Sequence, residues 1–138
     1  MAHLVSTTEH DILALGHGIS SVLPEKYGSD LLIFTPRGLF GMQRKKFPED
    51  FFASLGDGRL ARELALMNQL DFSMLVPEGR PKFDNDGYLL SEGNSKWTRQ
   101  SLRNILRSAK IQHGVDVEWS EDLQDTIAIA CEMELYLK

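Results

Sequence analysis

Residues 28–45 read GSDLLIFTPRGLFGMQRK, two apolar runs joined by a turn sequence. The first run, LLIF, is followed by Thr35-Pro36-Arg37-Gly38, a combination of residues that is typical of a tight turn. The second run begins at Leu39 and continues to Arg44. Two short apolar runs on either side of a turn predict a β-hairpin. We therefore predict two buried antiparallel strands here, and the rest of the domain is built outward from them.

Outside the hairpin, helical and extended patterns alternate along the chain. We predict helices over residues 9–23, from Pro48 to about residue 55, over residues 58–70 and 98–112, and after Ser120 as the cap of a last helix. Further strands are predicted over residues 73–76 and 115–119. This alternation predicts an α/β domain in which a mixed central sheet is flanked by helices.

Length and composition limit the class of protein. The chain has 138 residues, 42% of them hydrophobic and 25% charged, which predicts one globular domain over residues 1–138 and excludes disorder. The apolar stretches are too short for a membrane span, and no secretory signal is visible at the N-terminus. Cys131 is the only cysteine, which excludes a disulfide framework or a multi-cysteine zinc site and fits a reducing compartment.

Charge is unevenly distributed. The formal net charge is −5, which argues against broad electrostatic coating of nucleic acid. Four basic residues of the predicted helix over residues 98–112 nevertheless fall within about 80° on a helical wheel, and they form either a solvated face or a surface for phosphates. We call them the basic stripe: Arg99, Arg103, Arg107 and Lys110.

The histidines show no metal-binding spacing and are predicted to lie at the surface: His3, His10, His17 and His113.

The hairpin brings oxygen ligands and a cation together. Gln43 and Lys45 are two positions apart on one strand and share a face, and pairing places Asp30 beside them. A carboxylate and an amide carbonyl suit Mg²⁺, which prefers oxygen ligands, and Lys45 is placed to orient a bound water. By spacing alone we favour a solvated turn with scattered charges, because an acid and a lysine near a hairpin occur in many proteins.

Several segments, in order, resemble the nuclease domain of the XPF family of structure-specific DNA endonucleases. That family shows Gly-Asp, a variable gap, Glu-Arg-Lys, an Asp a few positions on, and a helix with Ser-Leu and Gly-Arg-Leu. The matching segments here are Gly28-Ser29-Asp30, Gln43-Arg44-Lys45, Asp50, Ser54-Leu55, Gly58-Arg59-Leu60, Leu75-Val76-Pro77-Glu78-Gly79, Gly114-Val115 and Trp119. The resemblance covers roughly residues 28–137.

The resemblance implies a restriction-endonuclease-like fold with a PD-(D/E)XK core and a site that uses Mg²⁺ or Mn²⁺. It implies that Asp30 binds the metal, that Gln43 stands where the family has its second acid, and that the backbone carbonyl of Arg44 is a further ligand. Lys45 then corresponds to the catalytic lysine and Asp50 to the following acid. The residues predicted to contact DNA are Arg59, Arg99, Arg103, Arg107 and Lys110.

Three departures separate this sequence from the family pattern. Ser29 stands between the glycine and Asp30, and Gln43 replaces a glutamate, which removes a full negative charge from the site. Residues 5–9, VSTTE, do not match the family's early Asp-x-Arg-Glu segment. Glu9 either supplies a missing carboxylate or is an ordinary acid at a helix N-terminus, which we favour. Glu49 competes with Asp50 for the place of the following acid.

Two functions are consistent with these residues. The favoured one is a metal-dependent endonuclease that acts on branched or flapped DNA in repair or recombination. The alternative is a DNA-junction-binding or scaffold protein with a weakened or inactive nuclease fold, which Gln43 favours and Lys45 disfavours. Either function implies DNA as the partner, no membrane, and an intracellular location, cytoplasmic in a bacterial or phage-infected host and nuclear in a eukaryote. A homodimer is left open.

Overall fold

The computed structural model describes residues 2–90 and 97–138. Its strands are β1 (His3–Ser6), β2 (Ile19–Ser21), β3 (Leu31–Thr35), β4 (Gly38–Lys46), β5 (Phe72–Glu78) and β6 (Asp116–Val117). Its helices are α1 (His10–Ala14), α2 (Leu23–Lys26), α3 (Glu49–Gly56), α4 (Arg59–Met67), α5 (Arg99–His113) and α6 (Leu123–Tyr136). Across the described ranges, no helix combines the length and the apolar character needed to cross a membrane.

The strands form one six-stranded sheet in the order β2-β1-β3-β4-β5-β6. β3 is antiparallel to both β1 and β4, whereas the β1–β2, β4–β5 and β5–β6 pairs are parallel. The sheet is therefore mixed, and the prediction of an α/β fold with a mixed central sheet is confirmed.

The predicted hairpin lies at the centre of this sheet. β3 and β4 pair from Leu31↔Met42 to Thr35↔Gly38, so Pro36 and Arg37 form the turn. The turn is tied by the Thr35 hydroxyl, which donates to the Gly38 carbonyl at 2.6 Å. β4 continues past the end of β3 and pairs with β5 as far as Lys46↔Glu78. The polar residues at the end of β4, from Gln43 to Lys46, are thus held in place by regular backbone pairing with β5.

Apolar residues cover both faces of the sheet. On one face, Met74 and Val76 of β5 pack in a cluster with Ile129 of α6 and Ile12 of α1. On the other face, Leu75 packs in a cluster with residues of α3, α4 and α5, including the fully buried Phe51. The alternation of side chains along a strand sends neighbouring residues to opposite layers. This alternation continues along β4 and decides where its polar residues point.

The N-terminal part of the chain differs from the prediction. We expected one helix over residues 9–23, but α1 is a single short helix of five residues and is followed by β2. Gly16 and Gly18 adopt φ angles of 73° and 79°, a left-handed backbone that ends the helix and turns the chain back toward β1. β1 itself was not predicted, and it pairs with both β2 and β3.

The predicted ends of several C-terminal elements also shift. The strand predicted to end before Pro77 runs through it to Glu78, and the strand predicted over residues 115–119 shortens to β6. Asp122, rather than Ser120, caps α6, because its carboxylate accepts the N–H of Asp125 at 2.8 Å. The predicted α5 is confirmed, with Thr98 as its cap.

Gly28 offers a test of close packing beside β3. Its φ is 65°, and a Cβ there would lie 2.3 Å from the backbone carbonyl oxygen of Glu63 in α4. Gly16 has a similar φ, but a Cβ there would meet no atom within 4 Å. We predict that Gly16→Ala costs about 1–2 kcal/mol, the strain of a left-handed alanine, and that Gly28→Ala costs clearly more. Urea unfolding of both variants measures the loss in the free energy of unfolding. An equal loss in the two variants would mean that the backbone of Glu63 can move away from residue 28 at little cost.

Candidate active site

An open cleft of about 520 Å³ lies where β4 extends beyond β3. Its walls come from the end of β4, the residue before β3, the segment before α1, and the helices α3 and α4. Six residues predicted from the sequence line it: Asp30, Gln43, Arg44, Lys45, Asp50 and Arg59. Three of its acidic and basic lining residues were not predicted as site residues: Glu9, Arg62 and Glu63.

Asp30 lies at the base of the cleft, directly before β3. The pairing of Leu31 with Met42 extends by one step, so Asp30 lies across from Gln43. Its Oδ2 accepts the backbone N–H of Arg44 at 2.7 Å. Burial raises the pKa of Asp30 well above its ordinary value of 3.8, and the neighbouring carboxylate of Glu9 adds to this increase, while the Arg44 hydrogen bond and Lys45 oppose it. Burial and the neighbouring carboxylates therefore disfavour the ionised form of Asp30 unless a further cation lies beside it.

Gln43 is buried, with 2% of its surface exposed, and its side-chain Oε1 has no hydrogen-bond partner within the described ranges. A buried carbonyl oxygen left without a partner costs about 1–3 kcal/mol. Natural proteins satisfy nearly all such atoms with donors, water or an ion. An unpaired oxygen beside a carboxylate is a donor set that suits a hard divalent cation, so the residues present fit the metal implied by the resemblance.

Lys45 points from β4 to the same side as Gln43, two positions away. Its Nζ contacts the Glu63 carboxylate of α4 at 2.9 Å, and only 10% of its side chain is exposed. Glu63 therefore fixes the ammonium group at the cleft wall. The backbone of Glu63 also lies close to Gly28, so this close approach of α4 helps to position the carboxylate that holds Lys45.

Arg44 has a different part in the structure. Its guanidinium makes two hydrogen bonds with Glu78 at the end of β5, of 2.8 and 2.7 Å, and a third with Glu9 at 3.0 Å. Thr126 of α6 also donates to Glu78, at 2.7 Å. Burial alone would lower the pKa of Arg44, but the hydrogen bonds and charges of Glu78 and Glu9 raise it above its ordinary value. The side chain is thus committed to an ion-pair network that holds Glu9 at the cleft.

The outer residues of the cleft are exposed. Of the two candidates for the following acid, Asp50 lines the cleft and Glu49 does not. Arg59 lies at the rim, where its guanidinium contacts Asp57 at 2.7 Å, and Arg62 follows one turn later on α4. These two arginines give the rim a positive edge above the acidic base of the cleft.

The basic stripe lies elsewhere. Arg99, Arg103, Arg107 and Lys110 are exposed on α5, as either interpretation of the stripe required, but none of them lines the cleft. Arg99 lies over the Phe83 ring, with its guanidinium carbon 4.5 Å from the ring centroid. The structure therefore does not bring the stripe together with Asp30 and Lys45.

The sequence analysis missed or set aside four residues of the cleft and its supporting network: Glu9, Arg62, Glu63 and Glu78. Glu9 precedes α1, as expected of a helix N-terminal acid, but its carboxylate accepts a hydrogen bond from Arg44 of β4 at 3.0 Å. For Glu78, the sequence did carry a signal: an acid ends an otherwise apolar strand. Glu63 gave no signal, because one glutamate on an amphipathic helix is ordinary.

The raised pKa of Asp30 makes a prediction about stability. The folded protein holds the Asp30 proton up to a higher pH than the unfolded chain, so wild-type stability falls as the pH rises from 3.8 through the raised value. We expect Asp30→Asn, which keeps an acceptor for the Arg44 N–H, to be more stable than the wild type at neutral pH without added metal. The advantage should shrink toward acidic pH.

Urea unfolding at neutral and mildly acidic pH, in the presence of a chelator, measures this difference. Asp50→Asn is the control: it removes an exposed carboxylate from the same cleft and should change stability by less than about 0.5 kcal/mol. Equal stability of Asp30→Asn and wild type at neutral pH would contradict the charge balance described above.

Comparisons with known proteins agree with this geometry. The family model of the ERCC4 domain matches residues 6–133. A structure of XPF from Aeropyrum pernix aligns with a TM-score of 0.69 at 19% identity, and covers 97% of this chain and 65% of that one. XPF from the same organism in complex with DNA aligns with a TM-score of 0.66 at 18% identity, over 97% and 63% of the two chains.

The likeness to these structures confirms the predicted restriction-endonuclease-like fold, and this chain spans somewhat less than two thirds of their length. A search of the curated proteins finds no significant match. Because the family model covers most of the sequence, the chain belongs to the ERCC4 domain family, as its resemblance to the XPF nucleases predicted.

Proposed function

We propose that residues 1–138 form one XPF-type nuclease domain that cuts branched or flapped DNA inside the cell, in repair or recombination, with a divalent metal ion as cofactor. The observation that carries this proposal is the convergence of the Asp30 carboxylate, the unpaired Gln43 oxygen and the Lys45 ammonium in one cleft. A carboxylate and a neutral oxygen suit a hard divalent cation, and a cationic side chain beside them can stabilise charge on a phosphate. The combination is therefore suited to metal-assisted hydrolysis of a phosphodiester.

Asp30 and Gln43 are the proposed ligands of Mg²⁺ or Mn²⁺, with the backbone carbonyl of Arg44 as a third. When bound, the ion would stabilise charge on the scissile phosphate and lower the pKa of a bound water. Glu9 adds a nearby carboxylate, held by Arg44 at 3.0 Å. This charge offsets the one lost at Gln43, where an amide stands in place of the family's acid.

Lys45 and Asp50 are the other proposed catalytic residues. The Lys45 ammonium is held by Glu63 at the cleft wall, so it is positioned before substrate arrives. A fixed cation there would stabilise the negative charge that develops on the phosphate, or orient the attacking water. Asp50, on the exposed side of the cleft, is placed to accept a hydrogen bond from a water at its mouth.

DNA binding is proposed to be local, because the net charge is −5. Arg59 and Arg62 at the rim are suited to hold phosphates next to the cleft. The basic stripe would then contact the duplex at a second place, away from the cut. A second copy of the chain in a homodimer would extend this surface for a branched substrate.

Two observations favour a second function, a DNA-junction-binding protein that does not cut. The cleft has an amide at the place of an acid, and the Lys45 ammonium is neutralised by Glu63. A protein that only binds would retain the arginines of the rim and stripe but gain nothing from Lys45. The role of Lys45 therefore separates the two functions.

We predict that Lys45→Ala reduces cleavage of flap and four-way DNA by at least ~100-fold in Mg²⁺ or Mn²⁺, a loss typical for removal of one group that stabilises the transition state. Binding of the same DNAs should change little, because one buried lysine contributes few phosphate contacts. Cleavage and gel-shift assays measure the two effects.

Lys46→Ala is the matched control, since Lys46 is the next residue on β4 but is exposed and pairs with Asp11 at 3.1 Å. It should cut like the wild type. A wild-type protein that binds these DNAs tightly but never cuts them, with either metal, would establish the binding function instead.

Gln43→Glu tests the proposed metal ligands. It adds a carboxylate beside Asp30 and Glu9, so we expect tighter Mg²⁺ binding in calorimetry, together with lower stability than wild type when a chelator is present. The added negative charge is the cause of both effects: it attracts the metal ion, and it repels Asp30 and Glu9 when no metal ion is bound. Mg²⁺ binding that is unchanged would remove Gln43 from the ligand set.

A further inference from the structure

A second group of chemically active side chains lies outside the cleft. His3 begins β1, His17 precedes β2, and Cys131 lies on α6, and one ligand atom from each falls within 4.8 Å of the others. The prediction that His3 and His17 are ordinary surface histidines is wrong: His3 is buried, with 6% of its surface exposed, and His17 is half-buried. Their rings meet edge to face, with centroids 4.7 Å apart.

We propose that His3, His17 and Cys131 bind one zinc ion. Two imidazole nitrogens and a thiolate are a ligand set that Zn²⁺ takes in proteins, whereas Mg²⁺ prefers oxygen ligands. The chain therefore has one oxygen-rich place for a hard cation and, in a different part of the fold, one nitrogen- and sulfur-rich place for a softer one.

Hydrogen bonds orient the first histidine for this role. His3 Nε2 contacts the carboxylate of Glu134, and His3 Nδ1 lies 2.7 Å from His17 Nε2. A carboxylate that holds one ring nitrogen of a histidine fixes its tautomer and leaves the other nitrogen as a ligand, an arrangement common around zinc. In the metal-free chain a proton joins His3 Nδ1 and His17 Nε2; the ion would take its place.

The proton balance is simple. His17 keeps one proton by moving it from Nε2 to Nδ1, and the Cys131 thiol releases one proton to solvent as the thiolate binds. Burial lowers the pKa of His17, and so does His3, which favours the neutral imidazole that binds metal. Burial raises the pKa of the Cys131 thiol, and the nearby carboxylates of Glu134 and Glu132 raise it further, so the thiol gives up its proton only as the ion binds. The same carboxylates attract a cation.

The backbone holds these residues together before any ion binds. Gly18 approaches β1 so closely that a Cβ there would lie 2.8 Å from the carbonyl oxygen of His3. The parallel pairing of Leu4 with Ile19 continues this contact. On α6, Cys131 and Glu134 are three positions apart and so lie on one face of the helix. A bound ion would therefore join β1, the segment before β2 and α6. Because zinc ligands bind at about 2.0–2.3 Å, the two ring nitrogens, now 2.7 Å apart, must separate and the Cys131 side chain must move closer, which needs only side-chain adjustment.

The test uses the metal-free full chain, titrated with Zn²⁺ for affinity and with Co²⁺ as a spectroscopic probe. We expect one equivalent of Zn²⁺, a thiolate-to-cobalt charge-transfer absorption, and a rise in the thermal midpoint when Zn²⁺ binds. Cys131→Ser should abolish the absorption, and His17→Ala should weaken Zn²⁺ binding by at least ~10-fold and remove the thermal shift. Both positions tolerate substitution better than the buried His3.

Two controls separate this site from others. Asp30→Asn disables the cleft and His113→Ala removes a histidine at the end of α5, and both should bind Zn²⁺ and Co²⁺ like the wild type. Circular dichroism establishes that each variant is folded. A wild type without the charge-transfer absorption, or Zn²⁺ binding equally tight in Cys131→Ser and His17→Ala, would overturn the proposal and leave the cluster as a hydrogen-bonded link between β1 and α6.

Discussion

The ion pair between Arg44 and Glu78 is the interaction on which the arrangement of the cleft depends. Both residues are buried at neighbouring strand ends, and their two hydrogen bonds are joined by contacts from Glu9 and Thr126. Removal of one partner from such a pair leaves an uncompensated charge and costs about 3–5 kcal/mol. Since β4, β5, α6 and the segment before α1 all contribute, this pair fixes the frame in which the other polar residues lie.

Two residues of the cleft reduce the stability of the folded protein. Burial disfavours the ionised form of Asp30, and the oxygen of Gln43 has no hydrogen-bond partner within the described ranges. Sites that are strained or unsatisfied in the free protein commonly serve a ligand that relieves them. A divalent cation would stabilise the ionised carboxylate of Asp30 and would also give the oxygen of Gln43 a partner. The raised pKa and the unpaired oxygen therefore both support the same proposed cofactor.

Local sequence patterns predicted the hairpin and, through it, the proximity of Asp30, Gln43 and Lys45. Two apolar runs and a Pro-Arg turn fix the β3–β4 register, and register alone brings these three together. Glu9, Glu63 and Glu78 depend instead on the strand order and on which helix covers which face. β2 could not be predicted, because its three residues are half-exposed or exposed and show no alternation of buried and exposed positions. The group of His3, His17 and Cys131 could not be predicted either, because it joins positions far apart in the chain.

The alternation of side chains along β4 has a consequence for how this domain can change. Gln43 and Lys45 face the layer of α4, whereas Arg44 between them contacts Glu9, Glu78 and, through Glu78, α6. The proposed catalytic side chains and the side chain that holds the fold together therefore alternate along a single strand. Substitutions on α4 can retune the lysine while the buried ion pair stays intact, but an inserted or deleted residue in β4 would exchange the two sets at once. The domain can thus vary by point substitution at this strand, and hardly at all by a change in its length.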